Sequence, residues 1–216
     1  MPTLRFRYQT IEFGNTDIHV RTLRDKQQYA DDDGAAARLG ISSATWPLFG
    51  VIWPSGEVLA SLMFSYGIEG KSILEVGCGI GLASLVLNHR LADITATDQH
   101  PEAKDFLFRN TMLNDDRVIP FVRTAWSGSN TELGEYDLII GSDVLYEREH
   151  AEQLALFIDT HAKLHCEVII VDPGRSQQGR FQKQMTSCGY RYNEIHSADS
   201  ERLPRQFKGR IMRFHK

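Results

Sequence analysis

Apolar and polar positions in this chain fall into two rhythms, one with a period near two and one near three and a half. Ile73, Leu74 and Val76 form a short apolar run with no turn residue inside it. That is the pattern of a strand buried on both faces, as in a parallel sheet. Gly77, Gly79 and Gly81 follow at alternate positions, and Leu82, Leu85 and Val86 then begin a helical spacing. The stretch therefore predicts a strand, a glycine turn and a helix over roughly 81–90. Downstream the same alternation continues. Strands are expected at 93–98, 118–122, 136–143 and 167–171, with Pro120 weakening the second of these. Helices are expected from Pro101 to Leu113, over 149–163 and over 181–188. Residues 190–196 and 209–215 read as two late strands joined by a short connection.

Upstream the pattern differs. Residues 4–13 and 18–23 are rich in β-formers, and Gly14, Asn15 and Asp17 between them are turn residues, so a β-hairpin is expected. Residues 25–40 are polar and include Asp31, Asp32 and Asp33, which read as a solvated loop. The segment 46–56, WPLFGVIWPSG, holds two Trp-Pro pairs. Each proline keeps the residue before it out of the helical region. Ser55 is the expected cap of a helix over 56–66 that buries Val58, Leu59, Leu62 and Met63. Trp46 and Trp53 either pack that helix onto the sheet or wall a pocket.

Strands alternating with helices imply an α/β fold, a doubly wound, mostly parallel sheet with an antiparallel pair at one edge. Residues 1–55 form an extension and 56–216 the core of one structural domain. The length of 216 residues suits that reading, and 42% hydrophobic with 24% charged residues is an ordinary globular balance. A net charge of −4 gives no basic excess for phosphates, so nucleic acid is not the expected partner. Cys78, Cys166 and Cys188 are odd in number and far apart, without metal-ligand spacing. They are expected as reduced thiols in a cytoplasmic, monomeric protein, with no metal and no membrane segment.

The glycine turn carries the first chemical signal. A P-loop ending is absent, and Leu82 stands where a dinucleotide fingerprint needs its third glycine. The remaining pattern, Glu75-x-Gly77-x-Gly79-x-Gly81, resembles motif I of class I S-adenosylmethionine (SAM) methyltransferases. Asp98 closes the next strand, about 20 residues beyond the turn, where a carboxylate accepts hydrogen bonds from ribose hydroxyls. A helix cap ahead of Pro101 is its other reading.

Ligands of such sheets bind beyond the carboxyl ends of the strands. Gly77, Asp98, Asp143 and Asp172 stand at those ends and are expected to cluster. At the fourth end the chain reads Asp143-Val144-Leu145-Tyr146. This Asp-x-x-Tyr resembles the post-II motif of seven-β-strand protein lysine methyltransferases (methyltransferase family 16). The ending Asp172-Pro173-Gly174-Arg175 is similar to the branch that includes the electron-transfer-flavoprotein β-subunit lysine methyltransferases. The resemblance covers nearly the whole chain and implies a seven-stranded Rossmann-like sheet, SAM as cofactor and a protein substrate. It implies that Asp143 and Tyr146 border the methyl-transfer site and that Trp126 lies beside the adenine. Trp53 would sit near the substrate or the methionine end of SAM. Glu75, Gly77, Cys78, Gly79, Gly81, Asp98, Gln99, Ser142 and Asp143 complete the expected cofactor site. Amide and base methyltransferases carry prolines where Val144 and Leu145 stand. Two alternatives stay open: a methyltransferase for a small molecule or another side chain such as histidine, and a SAM-binding module without catalysis.

Overall fold

A computed structural model describes residues 4–26, 28–29, 34–127, 131–195 and 207–216. The acidic run Asp31–Asp33 lies outside them, as do residues 128–130 of the loop after Trp126 and residue 196 of the expected late strand. The chain opens with a hairpin of β1 (Phe6–Phe13) and β2 (Thr16–Leu23), in the expected place. A short helix α1 (Ala35–Arg38) and a 3-10 turn (Trp46–Leu48) lead to α2 (Pro54–Ser65). The core then alternates: β3 (Ser72–Val76), α3 (Leu82–His89), β4 (Asp93–Asp98), α4 (Ala103–Leu113), β5 (Phe121–Arg123) and β6 (Tyr136–Ser142). It continues with α5 (His150–His161), β7 (Ala162–Asp172), α6 (Gln178–Ser187), β8 (Arg191–Ile195) and β9 (Arg210–His215).

Seven strands form one sheet in the order β5-β4-β3-β6-β7-β9-β8. β3 runs parallel to both β4 and β6, and β9 runs antiparallel to β7 and β8. This is the expected mostly parallel sheet with an antiparallel edge. Its strand order reverses between β3 and β6. A doubly wound sheet opens its ligand crevice at such a switch point.

Two core clusters flank the sheet. One joins α2, α3 and α4 to the hairpin through Phe13, Ile18, Val20 and Leu23. The other joins α5 and α6 through Leu154, Phe157, Ile158, Phe181 and Met185. β2 is attached to α4 by side-chain amides as well as by packing. Asn110 Oδ1 accepts the Arg21 N–H at 2.7 Å, and Asn114 exchanges hydrogen bonds with both backbone groups of His19 at 2.8 Å. Asn110 also donates to the Ile80 carbonyl at 3.2 Å, so one buried amide ties the hairpin to the glycine turn.

Several expectations shift. Ser55 does not cap α2: the helix begins two residues earlier than expected, at Pro54, and Trp53 takes the cap position in extended conformation. Proline is at home in the first turn because its missing N–H would have no helical partner there. Ser55 is instead fully buried inside the helix. β5 begins only at Phe121: Pro120 has no N–H to donate, although its carbonyl still accepts from Ala96 at 2.9 Å. α5 ends at His161, before the expected boundary, because β7 starts at Ala162 and runs for 11 residues.

Candidate active site

The cleft lies over the switch point. Gly77 directly follows β3 with φ +62°, and Gly79 comes next but one with φ +57°, a backbone region that residues with a Cβ enter at a cost. A Cβ on Gly77 would stand 2.8 Å from Val144 Cγ1 and 3.5 Å from Trp126 Cζ2. The turn therefore packs against the residue after Asp143 and against the indole. A Cβ on Gly79 would meet nothing within 4 Å, so the space beside it is open cleft. Gly81 differs. It stands just ahead of α3 at φ +81°, crowded by Leu107, and does not line the cleft.

Asp98 sits opposite the turn. Its Oδ2 accepts the Gly79 N–H and its Oδ1 the His100 N–H, both at 2.8 Å. The carboxylate thus fixes the turn it faces, and its remaining lone pairs stay available to a ligand. It does not cap α4, whose cap residue is Glu102. Burial raises its pKa against the lowering effect of these backbone bonds. Glu75 lies beneath, 3% exposed, and turns toward α3 to accept the backbone N–H and hydroxyl of Ser84. Burial pushes its pKa up to about 7. Cys78 is buried beside it, with its thiol pushed up by burial and by the Asp98 and Glu75 charges.

The other wall is built differently. Asp143 directly follows β6 at φ +55°, a left-handed conformation that Asp tolerates better than most residues. Its N–H donates to the Val171 carbonyl at 2.9 Å, which pins the turn to β7. Its Oδ1 accepts from the Arg175 guanidinium at 2.6 Å. That guanidinium also lies 5.7 Å from the Tyr146 ring centre. Tyr146 packs edge-on against His150 at 4.6 Å, Trp126 does so at 5.1 Å, and Gln99 reaches the Tyr146 hydroxyl. Burial raises the phenol's pKa, so it stays protonated.

One continuous cleft is lined by Trp53, Gly77, Gly79, Asp98, Gln99, Ser142, Asp143, Tyr146 and Arg175. Trp126 and Val144 extend it along the sheet, and Glu75, Cys78 and Ile80 floor it beside Trp53. Its empty volume near Arg175 is about 670 Å³, mouth included. The structure thus brings together the sequence-predicted site residues, apart from Gly81. The expectation that Asp172 joins them is corrected. It is 0% exposed, and its Oδ1 accepts from Gly174 N, Arg175 N and the Gln178 side chain. The two tryptophans also part ways. Trp53 walls the cleft, while Trp46 is buried in a small cluster with Ala36 and Ile41. Arg175 has no role in the sequence reading, although it stands three residues after Asp172. Nothing local announces its pairing with Asp143, 32 residues away.

A family model described as lysine methyltransferase matches residues 43–187, most of the chain. The chain belongs to the lysine methyltransferase family. It is 31% identical over 135 residues to the electron transfer flavoprotein beta subunit lysine methyltransferase of Mus musculus, covering 61% of this chain and 52% of that protein. It is 28% identical over 110 residues to the histone-arginine methyltransferase METTL23 of Rattus norvegicus, covering 48% and 49%. The chain spans about half the length of the curated relatives it matches. The fold superposes on a TehB-like SAM-dependent methyltransferase from Corynebacterium glutamicum with TM-score 0.59 at 17% identity, covering 85% of this chain and 97% of that one.

The cleft fits SAM on its own geometry. Gly79 leaves unfilled space at the turn, the Asp98 carboxylate faces it, and Trp126 offers an aromatic surface beyond it.

Proposed function

We propose that this protein is a SAM-dependent methyltransferase that acts on a lysine ε-amine of a protein substrate. Asp98 would hold the ribose hydroxyls, Gly77 and Gly79 would admit the cofactor close to the backbone, and Trp126 would stack beside the adenine. Bound there, SAM supplies a methyl group activated by its sulfonium. The protein's own contribution is alignment, dry walls and control of the acceptor's proton.

The observation that carries the reading is Asp143 turned into the cleft, paired with Arg175 beside the Tyr146 ring. A lysine amine has a reference pKa of about 10.4 and must lose a proton before it attacks. A bare carboxylate would oppose that loss by favouring the charged amine. Arg175 already balances the Asp143 charge. The pair therefore accepts a hydrogen bond from the amine without strongly favouring its protonated form, and water takes the proton. Trp53 and Tyr146 narrow the slot around the methylenes. A guanidinium acceptor suits the site less well, because it stays protonated and would meet Arg175 at the same carboxylate. Three free cysteines support a reducing, cytoplasmic setting, and we read the working unit as a monomer. Among the described residues no helix is long and apolar enough to cross a membrane.

The test is to incubate the protein and methyl-labelled SAM with lysate from cells that lack it, then map the label by mass spectrometry. Label on protein lysines is expected. Label confined to arginine, histidine, RNA or a small molecule would overturn the lysine assignment.

A further inference from the structure

The cleft's aromatic wall already carries a lysine from the same chain. Lys26 stands exposed on the turn after β2, and its Nζ lies 4.8 Å from the centre of the Trp53 ring. That ring is held in place: its indole N–H donates to the Leu48 carbonyl at 3.3 Å. The turn bearing Lys26 is held as well. Arg24 N donates to Arg5 O at 2.8 Å, and the Gln28 amide bonds Arg5 and the Asp25 carbonyl. The nearest acid in sequence, Asp25, is engaged by Arg5 at 2.8 Å and Arg24 at 3.6 Å. The Lys26 ammonium therefore rests against a ring that also lines the slot leading to Ser142, Asp143 and Tyr146.

We propose that Lys26 is a methyl acceptor of this protein's own site, modified within the same molecule. The inference rests on the lysine reading above and extends it to a named residue. In the transfer, the Lys26 ammonium first gives a proton to water. The freed lone pair forms the N–CH3 bond as the S–CH3 bond of SAM breaks. The electron pair of that bond stays on sulfur, leaving the neutral thioether, S-adenosylhomocysteine. A flexible four-carbon stem lets the amine leave the Trp53 face while its methylenes keep contact with it. Each methylation leaves the amine able to carry charge, so the cation–π contact with Trp53 survives modification.

The test uses the purified 216-residue chain with SAM bearing a deuterated methyl group, followed by digestion and mass spectrometry of the Lys26 peptide. Deuterated methyl is expected on Lys26, at a fractional rate unchanged over a tenfold range of protein concentration, and Lys26→Arg should remove that label. A readout that needs no turnover is acylation of Lys26 by an amine-reactive ester without SAM. Trp53→Ala should speed it about two- to five-fold, the release expected from an exposed cation–π contact. A rate that scales with protein concentration would overturn transfer within one molecule, as would label on other lysines alone. An unlabelled Lys26 beside labelled lysines in lysate proteins would overturn this inference and leave the proposed function standing. Label on neither would overturn both.

Discussion

At the ends of β3 and β4 the cleft is made of backbone, whereas at the ends of β6 and β7 it is made of paired side chains. The glycine-turn half needs one carboxylate, Asp98, locked by two backbone N–H groups, one on the facing turn and one two residues ahead. The ion-pair half needs Asp143 in a left-handed turn, Arg175 from the next strand's loop, and buried Asp172 to aim that loop. The first half is a preformed cradle. The second is a network in which one residue's position depends on another's, so its failures should spread. Each half also hides one acid. Glu75 lies under the glycine turn with its charge penalised by burial, and Asp172 lies under the ion pair with its charge met by N–H donors.

The sharpest break of this comparison is Asp172→Ala. It leaves the N–H groups of Gly174 and Arg175 and the Gln178 amide without their acceptor, at a stability cost of about 4 kcal/mol. Urea denaturation should show that loss, and methyl transfer should fall with it because Arg175 is no longer aimed. Next comes Glu75. Its folded pKa of about 7 exceeds its unfolded value near 4.5, so the folded state keeps a proton that the unfolded state releases. Its contribution is fully present below the unfolded pKa and is lost as pH rises through about 7. The loss amounts to about 3 kcal/mol. Glu75→Gln should flatten stability against pH between 5 and 8 by roughly that amount.

Asp98→Ala tests the cradle directly. SAM affinity should weaken by about 1.5–3 kcal/mol, the worth of hydrogen bonds to a charged group, as titration calorimetry would read. Unchanged affinity in a folded variant would remove Asp98 from the cofactor site. Asp143→Asn should instead cut the transfer rate by about tenfold, or 1.4 kcal/mol, and leave SAM affinity within about twofold. Loss of both together would erase the distinction between the halves. The smallest effect belongs to Arg175→Gln. With Asp143 no longer balanced, the amine holds its proton more tightly, and the pH–rate profile should move alkaline by about one unit. A profile that keeps its midpoint would show that Arg175 only shapes the slot.

The same contrast explains what the sequence discloses. The glycine turn, Asp98 and the alternation of strands and helices are local patterns, and the expected elements appear in their expected order, although β5 starts late and β7 starts early. Asp143 and Tyr146 were legible through a family resemblance, and the structure brings both to the cleft. Arg175 was not, because an ion pair between residues 32 apart leaves no mark in periodicity or turn chemistry. Asp172 is misplaced for a different reason, since its partners Gly174, Arg175 and Gln178 lie only two to six residues ahead. A strand-end carboxylate looks the same in sequence whether it faces the cleft or folds back on its own loop. Trp46 and Trp53 share the same Trp-Pro context, yet tertiary packing buries one ring in a side cluster and sets the other in the cleft wall.

Asn110 and Asn114 have a consequence for how this protein meets other chains. A two-stranded ribbon has two open margins, and each is a template on which a foreign strand can grow. Here α4 and its cap residue Asn114 close one margin from within the molecule, because the two amides mimic the peptide groups of a third strand at His19 and Arg21. The ribbon is thereby made one-sided: a strand arriving from outside finds the β2 margin already taken and only the β1 margin to read. Any partner that adds itself by strand pairing to this ribbon must do so along Phe6–Phe13.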